Sequence, residues 1–116
     1  MHDPDRTQLL QVELDENAAI PVVTASGEID VTSAPVLERV LRRALRAGPR
    51  TVVVVMTGVS FLGSAGITVL AAVAEECLEP PRIVASYPVR RPIEVTGADA
   101  LFVLCDSLAT ALGQSV

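Results

Sequence analysis

TVVVVMTGVSFLGSAGITVLAAVA, running from Thr51 to Ala74, carries no charged residue in 24 positions. A run this apolar is either one membrane-crossing helix or the centre of a folded core, since about 20 apolar residues suffice to cross a bilayer. Its internal grammar favours the core. Val52 to Val55 is a β-branched run, which suits a strand. Thr57, Gly58, Ser60, Gly63, Ser64 and Gly66 are turn and cap residues. Only from Ile67 does a helix-like run of Leu and Ala begin, and Glu75 and Glu76 follow it rather than basic residues. The stretch therefore reads as a buried strand over Thr51 to Met56, a loop, and a buried helix from Ser64 to about Cys77.

Ser64 stands at the loop-to-helix junction of that reading. Its hydroxyl is placed to accept from the free N–H groups of the first turn, as an N-cap. The same position also suits a phosphoacceptor, because a helix N-terminus tolerates added negative charge.

Upstream, Leu9 to Leu14 alternates as a first strand, Asp15 to Asn17 makes a turn, and Ala19 to Ser26 makes a second strand that Gly27 ends. Thr32 or Ser33 then caps a helix with Pro35 in its first turn, where a missing N–H costs nothing. Val36, Leu37, Val40, Leu41, Ala44 and Leu45 form its apolar stripe, and Gly48-Pro49 stops it after Ala47. Thr32 to Arg50 holds five Arg against the single acid Glu38, a net +4 that leaves −9 on the rest of a chain whose total is −5. Such a face is either solvated or docks on an acidic partner. Downstream, Arg82 to Ser86 reads as a fourth strand, Val89 to Thr96 as a short helix capped by Gly97, and Leu101 to Cys105 as a fifth strand. Asp106-Ser107 opens a last helix through Leu112. Helices between successive strands imply right-handed crossovers, hence an α/β fold with a mixed, largely parallel sheet of about five strands and about four helices. The 116 residues fit a single domain, residues 1–116.

Composition removes several functions. The chain has no Lys, so it has no P-loop lysine, Schiff base or lysine general base. Its one His is His2, which argues against a His-dependent triad or a zinc site; we expect neither metal nor cofactor. Glu28, Asp30 and Asp106 are candidate acids, but without Lys, a usable His or a metal-ligand cluster they are thin material for an enzyme. The acidic balance argues against nucleic acid. Met1 to Thr7 shows no signal-peptide pattern, and the two Cys, Cys77 and Cys105, make no CxxC; a reducing cytoplasm is expected, without membrane attachment. A helix following a strand runs back to the other edge of the sheet, so the two thiols should lie too far apart for a disulfide.

Three stretches together carry a likeness: GEIDVTSAP (Gly27 to Pro35), VVVVMTGVSFLGSAGITVL (Val52 to Leu70), and RRPIEVTGAD with LFVLCDSLATAL at the end. The chain resembles the STAS-domain anti-sigma factor antagonists, or anti-anti-sigma factors, of bacteria over about Leu9 to Leu112. The resemblance implies partner switching. The antagonist, a monomer or at most a weak dimer, binds an anti-sigma factor that is also a Ser/Thr kinase of the ATPase fold. The sigma factor is thereby freed to regulate transcription. Phosphorylation of a Ser ends the capture, and a phosphatase restores it. Matching motif to motif, the phosphoacceptor falls on Ser64 and the first-loop acid on Asp30. The implied partner-binding residues are Asp30, Thr32, Ser33, Gly63, Ser64, Ala65, Gly66 and Ile67. The chain departs from the family pattern at Gly63 and Ala65, where acid and Ser are usual, and at Val55, where a further acid is usual. The alternative reading is a STAS module that senses a ligand or serves as a scaffold without phosphorylation.

Overall fold

The central strand is longer than its sequence suggests. In the computed structural model, which describes residues 9–17, 19–46, 48 and 50–113, β3 runs over Val53–Leu62 and does not stop at Met56. Its inward residues are Val54, Met56, Val59 and Leu62, all buried. A flat strand would alternate in twos. Here the later steps are threes, because pairing with β2 (Val22–Ile29) shifts register twice, between Thr24 and Ser26 and between Gly27 and Glu28. Each shift gives β3 one extra residue, and such bulges kink a strand locally. The apparent turn residues Thr57, Gly58 and Ser60 are exposed positions of this strand, as is Phe61.

The second strand also runs on, through Gly27 to Ile29. Gly27 has φ of 106°, and a Cβ there would meet the Leu9 carbonyl oxygen at 2.4 Å. The glycine marks a close backbone approach inside the strand and not its end.

Five strands form one sheet in the order β1-β2-β3-β4-β5. The edge strand β1 (Gln11–Asp15) is antiparallel to β2, and β2, β3, β4 (Arg82–Val84) and β5 (Val103–Cys105) are parallel. Strands four and five are shorter than expected. Ser86 instead caps helix α3 (Tyr87–Val95), with Pro in its first turn, and a 3-10 turn occupies Ala98–Leu101. Gly97, at φ 80°, closes α3 as expected.

Helix α1 (Ala34–Leu45), helix α2 (Ser64–Glu76) and α3 cover one face of the sheet. Their core is aliphatic: Val23, Ile29, Leu37, Leu41, Leu70, Ile83 and Ile93 are all 1% exposed or less. Each such side chain contributes about 1.5–3 kcal/mol on full burial. On the other face, Val22, Val53, Val84, Cys105 and Ala111 gather beneath the short helix α4 (Leu108–Ala111), whose N-cap Ser107 accepts from the Thr110 amide at 3.1 Å. Val52, Val53 and Val54 have no exposed surface at all, as burial of both sheet faces requires. Among the described residues no helix is long and apolar enough to cross a membrane. The lead-in 1–8 with His2, and the helix-stop positions 47 and 49, lie outside the described residues.

Candidate functional site

Parallel strands deliver their loops to one edge of the sheet, and open α/β sheets place their sites there. Ile29 and Leu62 are register partners at the ends of β2 and β3. One chain turns into Asp30–Ser33 and the other into Gly63–Ser64. The amide of Gly63 donates to the Ile29 carbonyl at 2.9 Å and joins the two turns.

Asp30 builds the first turn. Its Oδ1 accepts from the Thr32 and Ser33 amides, each at 2.9 Å. The Ser33 hydroxyl accepts from the Asp30 amide at 3.0 Å and has the Glu28 carbonyl and Asp30 Oδ1 within reach as acceptors, at 3.0 and 3.1 Å. This is an Asx turn in which the acid is consumed by its own loop. The Ser33 amide above all, then the Ser33 hydroxyl and the Thr32 amide, hold the Asp30 carboxyl below the usual carboxylate range, against the opposing effect of desolvation. Ser33 occupies the N-cap position of α1, yet its side chain makes no capping bond, because it is engaged backwards by Asp30 and Glu28.

The second turn differs from expectation at Ser64. Gly63 is the N-cap of α2, and Ser64 is the first helical residue. The Gly63 carbonyl accepts from the amides of Gly66 at 3.1 Å and Ile67 at 3.2 Å. No side chain caps this helix and no acid lies in its first turn. Ser64 is exposed; its carbonyl accepts from the Thr68 hydroxyl at 3.0 Å, while its own hydroxyl has no partner among the described residues. Gly66 is buried: a Cβ there would fall 2.6 Å from both Ile29 Cγ2 and Leu62 Cδ1. Only a glycine lets α2 begin this close to the ends of both strands.

The structure brings all eight expected residues to one edge. Asp30, Thr32 and Ser64 are exposed, Ser33, Gly63, Ala65 and Ile67 are half-buried, and Gly66 is packed inside. Val31 and Phe61 were not among them, yet they stand 80% and 49% exposed beside the same two turns. Phe61 also leans on the junction, its Cε2 lying 3.3 Å from where a Gly63 Cβ would be. The signals in the sequence were slight: an apolar residue inside an acid-led turn, and one of only two Phe. Val55 lies elsewhere. It is half-buried against the second cluster, on the sheet face away from α2. Its missing acid therefore does not touch the turn at Ser64, whereas Gly63 and Ala65 flank it.

Among the described residues no three His, Cys, Asp or Glu are grouped to hold a metal. Cys77 and Cys105 are free thiols, packed on opposite faces of the sheet, and burial pushes the Cys77 thiol up. On the Arg-rich helix, Arg42 pairs with Glu38 at 3.4 Å and with Glu76 of α2, while Arg39, Arg43 and Arg46 stand exposed.

Residues 11–111 match the STAS domain family. The anti-sigma-F factor antagonist RsfB of Mycobacterium tuberculosis is 33% identical over 106 residues, covering 89% of this chain and 87% of that protein. The crystal structure of an anti-sigma factor antagonist from Mycobacterium paratuberculosis superposes with a TM-score of 0.85 at 34% identity, over 97% of each chain. SpoIIAA, an anti-sigma factor antagonist solved in its unphosphorylated form, shares the fold with a TM-score of 0.68 at 17% identity, over 91% of this chain and 100% of its own. Fold, matched span and relatives agree that this chain belongs to the STAS domain family, among its anti-sigma factor antagonists.

Proposed function

We propose that this protein is an anti-sigma factor antagonist acting by partner switching, and that it grips its anti-sigma factor through the edge built from Asp30–Ser33 and Gly63–Ile67. The relatives that match nearly the whole chain carry that activity in their names. The observation that carries the reading is Ser64: an exposed hydroxyl, free of capping work, at the start of α2 and beside the exposed Val31 and Phe61. The role needs no catalysis by this chain. Its place is the cytoplasm, where sigma factors work, and it acts as a monomer against a partner of the ATPase-fold Ser/Thr kinase type.

Control falls on Ser64. A phosphate there meets the positive end of α2 and the unpaired amides of its first turn, so the fold tolerates it. The interface does not. Docking strips water from a group bearing about 1.5 to 2 negative charges beside the exposed Val31, Phe61 and Asp30, so desolvation and repulsion open the complex. A phosphatase resets it.

The test is a displacement assay. A sigma factor held by an anti-sigma factor of this type is titrated with the purified chain, and sigma release is followed by gel filtration. Stoichiometric release is expected. Intact sigma complexes at saturating concentrations, across the candidate anti-sigma factors of the host, contradict the reading.

A further inference from the structure

The edge of the sheet opposite Ser64 holds a second constellation. The segments leading into β2, β3 and β4 surround a cavity of about 460 Å³, lined among others by Ile20, Arg50, Thr51, Glu79 and Arg82. Its frame is stapled. The Arg50 carbonyl accepts from the amides of Leu78 at 2.9 Å and Glu79 at 3.1 Å. Thr51, only 2% exposed, donates its hydroxyl to the Pro80 carbonyl at 3.0 Å. The Arg82 amide donates to the Val52 carbonyl at 3.0 Å.

Inside this frame two guanidinium groups share one carboxylate. Arg50 Nε donates to Glu79 Oε2 at 2.8 Å, and Arg82 Nη2 stands 3.6 Å from Oε1. Arg82 is steered by a bond from Nη1 to the Ala111 carbonyl of α4 at 2.8 Å, and its side chain is 26% exposed. A guanidinium offers five donors in a planar fork suited to carboxylate and phosphate oxygens. Among the described residues, Glu79 and the Ala111 carbonyl are the partners of these ten donors. The cluster carries one positive charge in excess, within a chain of net charge −5.

We propose that this cavity is a binding site for a small oxyanion of two or more negative charges, held between Arg50 and Arg82. Glu79 shows that a carboxylate fits the gap and acts as the internal rival of the ligand. The hydrogen bond from Arg50, then the charges of Arg50 and Arg82, hold its carboxyl below the usual range against the opposing effect of desolvation. The site is separate from the Ser64 edge and does not depend on the partner-switching role.

Calorimetric titration at low salt with inorganic pyrophosphate and with citrate tests it. Both bind the wild-type chain if shared charge is what matters; a preference for one names the source, phosphate or carboxylate. Arg50→Gln, at an exposed side chain, folds normally and weakens binding by about tenfold or more, the scale of a lost charge-assisted bond. Glu79→Gln removes the rival and tightens binding. Arg39→Gln, an exposed arginine of α1, leaves it unchanged. No binding of either anion to the wild-type chain and to Glu79→Gln overturns the site. So does equal weakening by Arg39→Gln, which reports only general charge.

Discussion

Gly66 sits directly against Ile29: a methyl added at the glycine would lie 2.6 Å from Ile29 Cγ2. That contact sets how the helix bearing Ser64 meets the strand that leads into Asp30. The backbone bond from Gly63 to Ile29 holds the same two pieces at 2.9 Å. The proposed partner surface is thus a junction of two turns whose spacing is fixed from beneath.

Gly66→Ala should therefore damage stability and grip together. The added methyl also meets Leu62 Cδ1 at 2.6 Å, so two buried side chains must give way at once. Overpacking of this kind costs about 1–3 kcal/mol. Urea denaturation with unchanged slope should show the loss, and affinity for the anti-sigma factor should fall. Wild-type stability in the variant contradicts the packing argument.

Asp30→Ala removes the acceptor of the Thr32 and Ser33 amides. The turn loses its shape while the core beneath it is untouched, so partner affinity falls more than stability. The acid dependence has a definite sign. The Asp30 carboxyl is held below its ordinary range in the folded state, so the unfolded chain binds the proton more readily. Its stabilising effect is complete above the unfolded value, near 4, and disappears as pH drops through the folded value. The difference in melting temperature between wild type and Asp30→Ala should be constant from neutrality to about pH 5 and narrow below about pH 4. A gap that stays constant into strong acid contradicts a charge-based role.

Val31→Ser and Phe61→Ser separate binding from folding. Val31 is 80% exposed and Phe61 49%, so the first change leaves the denaturation midpoint nearly unchanged and the second lowers it modestly. If they are buried by the partner, each change weakens capture, Phe61 more, by about 2 kcal/mol or above for a central aromatic anchor. Surface plasmon resonance against the anti-sigma factor measures this. Unaltered affinity in both variants removes them from the interface.

Much of this architecture could be read directly from the chain. The β-branched run at Val52 to Val55, the helical stripe from Val36 to Leu45 and the Pro35 and Gly97 boundaries all act through local physics. The continuation of β3 through Thr57, Gly58 and Ser60 was not legible. Two bulges change its burial period from two to three, and their cause lies in pairing with β2. Gly27 misled for the same reason: its role depends on Leu9, in the segment that leads into β1. At the site, Ser64 and Asp30 stood out by motif. The hydroxyl of Ser33, directed backward to Glu28, and the exposure of Phe61 arise only when the two turns are brought together.

The central claim is that negative charge added at Ser64, and not the hydroxyl itself, decides whether the partner is held. The most direct measurement is the dissociation constant of the anti-sigma factor for the wild-type chain, Ser64→Ala and Ser64→Glu, each first shown by circular dichroism and thermal melting to be folded. The account predicts similar affinities for wild type and Ser64→Ala, and a loss of at least about a hundredfold for Ser64→Glu, from a charge stripped of water on docking. Equal affinity for all three folded proteins contradicts it.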